Sequence, residues 1–277
     1  MRVAYLGPPG TFSEEAVARC DLATGEPAPF PTFADAYRAL RRGEVDGALL
    51  PVENSIEGTV GATLDLLVHE PGPLIRREVL VPVRQHLLAR PGTRLEEIAR
   101  VLSHPQPFGQ CRRFLHDRLP AALLEPTHST ADAAIKVAGG EPGAAAIGSR
   151  AAATRYGLAV LADSIQDVDE NVTRFILLAQ ADEGPTGADR TSIAFTLDRD
   201  RPGGLHEVLG ELARRGINLS KVQSRPMKEA LGHYVFFLDF EAHRLEPAAA
   251  DALAGVRSRV HRLYLLGSYP RADAPTA

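Results

Sequence analysis

The sequence lacks what several large protein classes require. Its 277 residues include two cysteines, no tryptophan and two methionines. No apolar run approaches the ~20 residues that a membrane span needs. The formal net charge of -4 is not the basic excess typical of nucleic-acid-binding proteins. Cys20 and Cys111 lie far apart and outside any metal-ligand spacing, so we expect two helix-face residues in a reducing cytoplasm.

Common catalytic signatures are missing as well. The loop Gly7-Pro8-Pro9-Gly10 follows the first apolar segment, but it has neither the lysine of a Walker loop nor the dinucleotide-binding spacing. No His/Cys/Asp cluster has metal spacing, and no Gly-x-Ser-x-Gly elbow supplies a nucleophile. The N-terminus also lacks the pattern of a signal peptide. We therefore predict a cytoplasmic protein whose chemistry uses no metal and no cofactor.

Strand and helix patterns alternate as far as about residue 181, which predicts an α/β fold with a largely parallel, open sheet. The predicted strands are 3–6, 47–52, 79–89, 144–147 and 175–179. The predicted helices are 13–22, 33–42, 63–69, 110–119 and 131–138. We expect one lobe at about 1–78 and 165–181, and a second lobe at about 79–164.

The composition changes at 181–189, where Gly, Pro, Asp and Glu replace apolar residues, and we interpret 182–190 as a linker. A β-α-β-β-α-β series follows, which is the order of a ferredoxin-like α+β domain. Its predicted strands are 192–197, 217–222, 234–240 and 260–266, and its predicted helices are 205–215 and 247–255. The domain is expected to span 191–270, before a loose tail at 271–277.

Polar loops stand at strand-to-helix junctions of the first part. They are Gly7-Pro8-Pro9-Gly10-Thr11-Phe12-Ser13, Pro51-Val52-Glu53-Asn54-Ser55, Ser103-His104-Pro105-Gln106 and Thr127-His128-Ser129-Thr130. Each is also explained as a helix cap; Thr11 with Glu14, for example, fits a capping box. Together they predict a cleft between two lobes, suited to a small, oxygen-rich anion.

A further polar step, Asn171-Val172-Thr173-Arg174-Phe175, leads directly into an apolar strand. A guanidinium there can bind a carboxylate through two parallel hydrogen bonds, and a hydroxyl can donate to a leaving oxygen. The alternative for Arg174 is that it organises the loop through Glu53 or Asp169.

The first three of these loops and the Asn171–Phe175 step, with Gly216-Ile217-Asn218-Leu219-Ser220-Lys221 near the C-terminus, occur in the order found in prephenate dehydratases, and the chain resembles that family. The resemblance implies a two-lobed catalytic part similar to type II periplasmic binding proteins. It also implies a C-terminal ACT domain that senses L-phenylalanine. The expected reaction converts prephenate to phenylpyruvate without a cofactor, and we expect the monofunctional form, since no chorismate mutase helix precedes Met1.

The family's functional positions carry over to this sequence as follows. The resemblance implies Thr173 and Arg174 as catalytic residues. It implies substrate contacts by Thr11, Ser13, Glu53, Asn54, Ser55, Gln106, Asn171 and Phe175, with Phe175 packing mainly beneath the site. The implied effector residues are Gly203, Gly204, Leu205, Asn218, Gln223, Ser224, Arg225 and Pro226. Gly204 and Gln223 depart from the family pattern, which has Ala and Glu there.

Three alternatives stay open at this stage. The substrate is prephenate or arogenate, the chain is an enzyme or a non-catalytic amino-acid sensor, and the ACT domain either binds phenylalanine or serves dimerisation alone. Because ACT domains commonly pair edge to edge, we expect a homodimer or homotetramer.

Overall fold

The computed structural model describes residues 1–20, 26–198, 202–227 and 233–273. The strands are β1 (Arg2–Leu6), β2 (Glu26–Phe30), β3 (Gly47–Asn54), β4 (Gly58–Thr59), β5 (Leu74–Pro82), β6 (His86–Ala89), β7 (Arg100–Ser103), β8 (Leu123–Pro126), β9 (Ala144–Gly148), β10 (Ala159–Ala162), β11 (Val172–Ala179), β12 (Asp189–Thr196), β13 (Leu219–Pro226), β14 (Tyr234–Phe240) and β15 (Arg262–Pro270). The helices are α1 (Phe12–Arg19), α2 (Phe33–Arg41), α3 (Gly61–His69), α4 (Pro105–Gln110), α5 (Arg112–Arg118), α6 (Thr130–Ala138), α7 (Arg150–Tyr156), α8 (Gly204–Ala213) and α9 (Pro247–Arg257).

The strands form three sheets, one in each of two catalytic lobes and one in the C-terminal domain. Their orders are β2-β1-β3-β11-β5 with β4 paired to β3, then β10-β6-β9-β7-β8, and finally β13-β14-β12-β15. The predicted two-lobed α/β part and ferredoxin-like α+β domain are confirmed. The expectation of a largely parallel sheet was wrong, because β11 returns antiparallel to β3 and β5, and β6 runs antiparallel to β9 and β10.

The predicted strand 79–89 is two strands in different sheets. The first sheet extends to Pro82, past the predicted lobe boundary at residue 78, and the second sheet begins at His86. The apolar pattern runs through both strands, so it does not reveal where the chain crosses between lobes. The predicted helix 110–119 likewise divides at Cys111 into α4 and α5.

Among the strands that the sequence pattern missed, β2, β8 and β10 lie at sheet edges. An edge strand pairs on one side and is partly exposed, so its apolar alternation is weak. In β2 the segment Glu26-Pro27-Ala28-Pro29-Phe30 carries two prolines, which sheets tolerate at edges. The end of the predicted helix 13–22 lies outside the described residues.

The C-terminal sheet packs with one face against the first lobe. Ala194, Val235 and Phe237 share a buried cluster with Leu50 and Ile176. The other face is covered by α8 and α9. At Gly267 (φ +140°) a Cβ atom would lie 2.3 Å from the Ile75 carbonyl oxygen, so only glycine allows this close approach of β15 to β5.

The predicted linker and tail are tied to the rest of the chain. Asp182 pairs with Arg244 at 2.8 Å, and Glu183 pairs with Arg76 at 2.7 Å. In the described part of the tail, the Ala272 amide donates to Glu78 at 2.9 Å. The expectation of a loose tail was therefore wrong for these residues.

Candidate active site

The candidate site lies at one edge of the first sheet. Strands β1 and β3 are parallel, and β11 runs antiparallel to β3, so the carboxyl ends of β1 and β3 and the start of β11 share this edge. The edge carries Thr11 and Ser13 beyond β1, Asn54 at the end of β3, and Thr173 on β11. In the β3–β11 register, Asn54 stands directly opposite Thr173.

Asn54 is the best-defined side chain of the site. Its Oδ1 accepts from the backbone amides of Ile56 and Glu57 at 3.0 and 2.9 Å. These two bonds identify the oxygen, so the other terminal atom is the NH₂ group. That group donates to Asn171 Oδ1 at 2.7 Å and to Thr173 Oγ1 at 2.9 Å. The loop backbone after β3 therefore fixes Asn54 as a double donor.

This arrangement decides what Thr173 can do. Its hydroxyl oxygen already accepts from Asn54, and the Asn54 nitrogen has no lone pair to accept in return. Within the described residues no acceptor is recorded for the Thr173 proton, and the side chain is half-buried. The hydroxyl is thus held in place by one hydrogen bond and keeps its own proton for donation to a bound molecule.

A chain of amides continues from Asn54 towards the second lobe. Asn171 donates to Gln110 Oε1 at 3.3 Å, and Gln85 donates to the same oxygen at 3.3 Å. Gln110 in turn donates to Glu57 at 3.4 Å. Gln85 and Asn171 lie on the two segments that connect the lobes, and Gln110 ends α4 in the second lobe. The network therefore joins both lobes to Thr173.

Sequence reasoning did not select Gln85, Gln110 or Glu57 as site residues. Gln110 is 8 % exposed and Gln85 is 2 % exposed, and the Oε1 atom of Gln85 has no hydrogen-bond partner in the described part of the chain. A glutamine inside the apolar segment 79–89 was the available signal, since buried polar groups need a reason. That signal was hidden because the segment was interpreted as one continuous strand.

Replacing Asn54 by Asp tests the donor assignment. Asn54→Asp keeps the shape but places an acceptor oxygen where the NH₂ group stood, so Thr173 would turn its proton towards the carboxylate. We expect kcat to fall roughly 10- to 100-fold, the equivalent of about 1–3 kcal/mol for a mispaired buried group. Steady-state kinetics at neutral pH would show it. Unchanged kcat would contradict the donor role of Asn54.

Arg174 and Glu53 lie on the opposite side of the sheet from Asn54 and Thr173, because successive strand residues alternate between faces. Arg174 Nε pairs with Glu78 at 2.7 Å, Nη1 with Asp239 at 2.7 Å, and Nη2 donates to the Tyr269 hydroxyl at 2.8 Å. Burial works to lower the pKa of Arg174, but Tyr269, Asp239 and Glu78 together raise it well above its usual value, so it stays charged.

These contacts disagree with the prediction that Arg174 binds a substrate carboxylate. Its hydrogen bonds go to Glu78 of β5 and to the C-terminal domain. Glu53, predicted to contact substrate, pairs with Lys221 of the C-terminal domain at 3.0 Å and lies 3.6 Å from Arg174. In the alternative, Arg174 organises the loop through Glu53 or Asp169; of these two carboxylates, Glu53 lies beside Arg174.

The other predicted site residues have mixed positions. Thr11 caps α1 by accepting from the Glu14 amide at 3.4 Å, and Ser13 is buried in the first turn. Ser55 accepts from the Val172 amide at 3.0 Å and donates to the Glu170 carbonyl at 3.1 Å, so it ties the two loops together. The remaining two lie apart from the amide network: Gln106 is exposed, and Phe175 packs in the core beneath the site.

The two lobes touch beside the first loop. Ser149 of the second lobe donates to the Gly10 carbonyl at 3.0 Å, and Arg155 pairs with Glu14 at 3.1 Å. Gly10 has φ +90°, and a Cβ atom there would lie 2.9 Å from the Tyr156 ring. Glycine is therefore needed for the lobes to meet at this point.

Neither cysteine has the character of a nucleophile. Burial raises the pKa of both Cys20 and Cys111 to about 12, so the thiols are protonated at neutral pH. In the described part of the chain, no group of three or more His, Cys, Asp or Glu side chains is arranged to hold a metal. His104 caps α4, with Nδ1 accepting from the Gln106 amide at 3.3 Å. The hydroxyl–amide network thus contains the groups best placed for chemistry.

The predicted effector residues divide into two sets. The side chains of Gln223 and Arg225 face the first lobe, where Thr59 donates to Gln223 at 2.7 Å and Arg225 pairs with Asp65 at 3.2 Å. Gly203, Asn218, Ser224 and Pro226 are exposed, while Gly204 is buried and Leu205 is half-buried at the start of α8. Gln223 and Arg225 are therefore engaged by the catalytic part.

Fold and site together define a class of two-lobed α/β enzymes with a C-terminal ACT-type domain. Its site is built from uncharged hydrogen-bond donors and lies between the lobes. The prephenate dehydratase family model matches residues 3–183, and the ACT domain model matches residues 191–257. The chain belongs to the prephenate dehydratase family. No helix among the described residues is long and apolar enough to cross a membrane.

Two individual relatives agree with this assignment, and a third protein of similar structure has a different description. A prephenate dehydratase of Amycolatopsis methanolica is 47 % identical, over 100 % of this chain and 90 % of the relative. The crystal structure of prephenate dehydratase from Arthrobacter aurescens in complex with L-Phe has a TM-score of 0.92 at 40 % identity, covering 100 % of this chain and 92 % of that one. GqqA, described as a novel type of quorum quenching acylase, has a TM-score of 0.89 at 29 % identity, covering 98 % of each chain.

Proposed function

We propose that the protein converts prephenate to phenylpyruvate, water and carbon dioxide in phenylalanine biosynthesis. The observation that carries the proposal is the Thr173 hydroxyl, which is fixed by Asn54 and retains its proton for a ligand. The proposed reaction is that of the family, and the geometry supports Thr173 as its hydrogen-bond donor. This function also agrees with a site of neutral donors, because the reaction needs orientation and hydrogen bonding more than a strong acid.

The reaction makes limited demands on the protein. The carbon–carbon bond to the ring carboxylate breaks and releases carbon dioxide, and its electron pair completes the aromatic ring. The carbon–oxygen bond at the opposite ring position breaks, and its electron pair leaves with the oxygen as hydroxide. The hydroxide takes a proton from solvent and becomes water. Thr173 stabilises the departing oxygen by hydrogen bonding, since a threonine hydroxyl is too weak an acid to protonate it alone. A donor already in position costs no reorganisation in the transition state.

The proposal is tested by ultraviolet detection of phenylpyruvate formed from prephenate by the purified protein. We expect turnover, and a slower or absent reaction with arogenate in a parallel assay. If neither prephenate nor arogenate yields product, the enzyme proposal is overturned and a non-catalytic sensor is favoured. Faster turnover of arogenate would instead identify an arogenate dehydratase with the same chemistry.

We further propose that L-phenylalanine modulates the enzyme at the ACT domain. The support is the ACT match, together with a relative of TM-score 0.92 whose crystal structure is a complex with L-Phe. Gly203, Gly204 and Leu205, together with Ser224 and Pro226, form the proposed effector segment on this protomer. Isothermal calorimetry with phenylalanine, tyrosine and unrelated amino acids checks the ligand choice.

The assembly proposed is a homodimer or homotetramer in which β13 meets its counterpart. Within the described residues β13 pairs only with β14, so its other edge is open. Asn218 precedes β13, whereas Pro226 ends it, roughly 26 Å away at about 3.3 Å per residue. An antiparallel second copy would bring its Asn218 beside this segment. Light scattering tests the mass, and a mass of 29.8 kDa would exclude an oligomer. A cytoplasmic location completes the proposal.

A further inference from the structure

Strand β13 carries two different surfaces on alternate residues. Lys221, Gln223 and Arg225 are half-buried and face the first lobe, whereas Ser220, Val222, Ser224 and Pro226 are exposed. Because side chains alternate along a strand, β13 presents Ser224 and Pro226 of the proposed effector segment on one side and catalytic-lobe contacts on the other. A displacement of β13 therefore moves both.

The three inward side chains meet consecutive elements of the first lobe. Lys221 pairs with Glu53 on β3 at 3.0 Å, Gln223 accepts from Thr59 on β4 at 2.7 Å, and Arg225 pairs with Asp65 on α3 at 3.2 Å. The Lys221 side chain is 11 % exposed and the Glu53 side chain is 41 % exposed, so Lys221 is the partner that is shielded from water. This pair is also the contact nearest to the catalytic strands.

Glu53 leads from this contact to the active site within one residue. It precedes Asn54, whose NH₂ group donates to Thr173 at 2.9 Å. In the same register, Glu53 stands opposite Arg174, and Asn54 stands opposite Thr173. A shift of the Glu53 backbone therefore changes the position of the donor that holds the Thr173 hydroxyl, with no intervening loop to absorb it.

We propose that Lys221 is a positioning residue that couples the ACT domain to the active site, acting through Glu53 on the Asn54–Thr173 pair. The proposal rests on the proposed function, since it assigns the route by which a ligand at β13 alters turnover. Lys221 touches neither substrate nor the reacting atoms. Its action depends on a charged contact that a neutral side chain of similar length cannot make.

The test is Lys221→Met, because methionine retains most of the packing without the charge. Loss of Lys221 leaves Glu53 beside Arg174, 3.6 Å away, so Glu53 keeps a cationic neighbour and we expect the fold to persist. Lys221→Arg restores a cation, and Lys221→Gln gives the same comparison if the methionine variant fails to fold. Lys136→Met is the matched control, since Lys136 pairs with Asp132 on α6 of the second lobe, at 3.4 Å.

The readout is the ratio of kcat/KM for prephenate with and without saturating L-phenylalanine, and calorimetry reports phenylalanine binding to the same samples. Wild type and Lys136→Met should change at least about fivefold, the lower range of allosteric coupling. Lys221→Met should bind phenylalanine yet change less than about twofold, and Lys221→Arg should recover most of the response. A full response in Lys221→Met overturns this inference alone. If the wild-type protein turns over prephenate but does not respond to L-phenylalanine, both this inference and the proposed regulation are overturned.

Discussion

Replacing Thr173 by Val should lower kcat roughly 10²- to 10³-fold while KM changes little, the loss expected for one preorganised donor to a developing anion. Valine preserves the β-branched shape and the β11 backbone, so the change removes only the hydroxyl. The interaction is made to an oxygen that becomes negative in the transition state, and hence affects kcat more than binding. Steady-state kinetics with prephenate measures both constants.

Thr173→Ser is the matched control. Serine keeps the hydroxyl within reach of Asn54, so we expect it to retain substantial activity, reduced mainly by the freer rotation of its side chain. Both variants should unfold at nearly the wild-type denaturant concentration. A Val variant with near wild-type kcat would remove Thr173 from the chemistry, and the same loss in the Ser and Val variants would point to packing rather than donation.

The predicted roles of Thr173 and Arg174 depend on different information. A hydroxyl that begins a buried strand beside polar loops is visible in the motif, but the sheet edge shared by β1, β3 and β11 requires β11 to be antiparallel, which the sequence pattern did not predict. The face on which Arg174 lies depends on the alternation of β11 and on where the C-terminal sheet docks. No local sequence pattern reveals that docking, so the Arg174 guanidinium was predicted to bind a substrate carboxylate.

The amide network shows a second limit of sequence reasoning. Asn54 and Asn171 lie in recognisable polar loops, and both were predicted as site residues. Gln85 and Gln110 lie in segments with a strand-like and a helix-like pattern, where a glutamine is compatible with an exposed face. They converge because Gln85 lies where the chain crosses between lobes and Gln110 ends α4. Such meetings depend on tertiary geometry rather than spacing along the chain.

Replacing Arg174 by Met should destabilise the protein by about 3–5 kcal/mol, since it removes one partner of a buried ion network. The side chains of Arg174, Glu78 and Asp239 are 11 %, 2 % and 8 % exposed. Glu78 would keep Arg190 as a partner, but Asp239 would lose the Arg174 guanidinium and, among the described residues, keep the Ser192 hydroxyl. Urea denaturation gives the free energy of unfolding. Arg19→Met, at an exposed pair with Glu15, should cost about 1 kcal/mol or less.

The double variant Arg174→Met, Asp239→Leu separates the charge from the packing. If the cost comes from a carboxylate left buried without its cation, removing that carboxylate should restore part of the lost stability, because apolar side chains can replace a buried ion pair with little penalty. A double variant less stable than the sum of the single changes would contradict this account. The single variant also separates the two roles of Arg174: a substrate-binding arginine would raise KM in a stable protein, whereas an interface arginine lowers the free energy of unfolding.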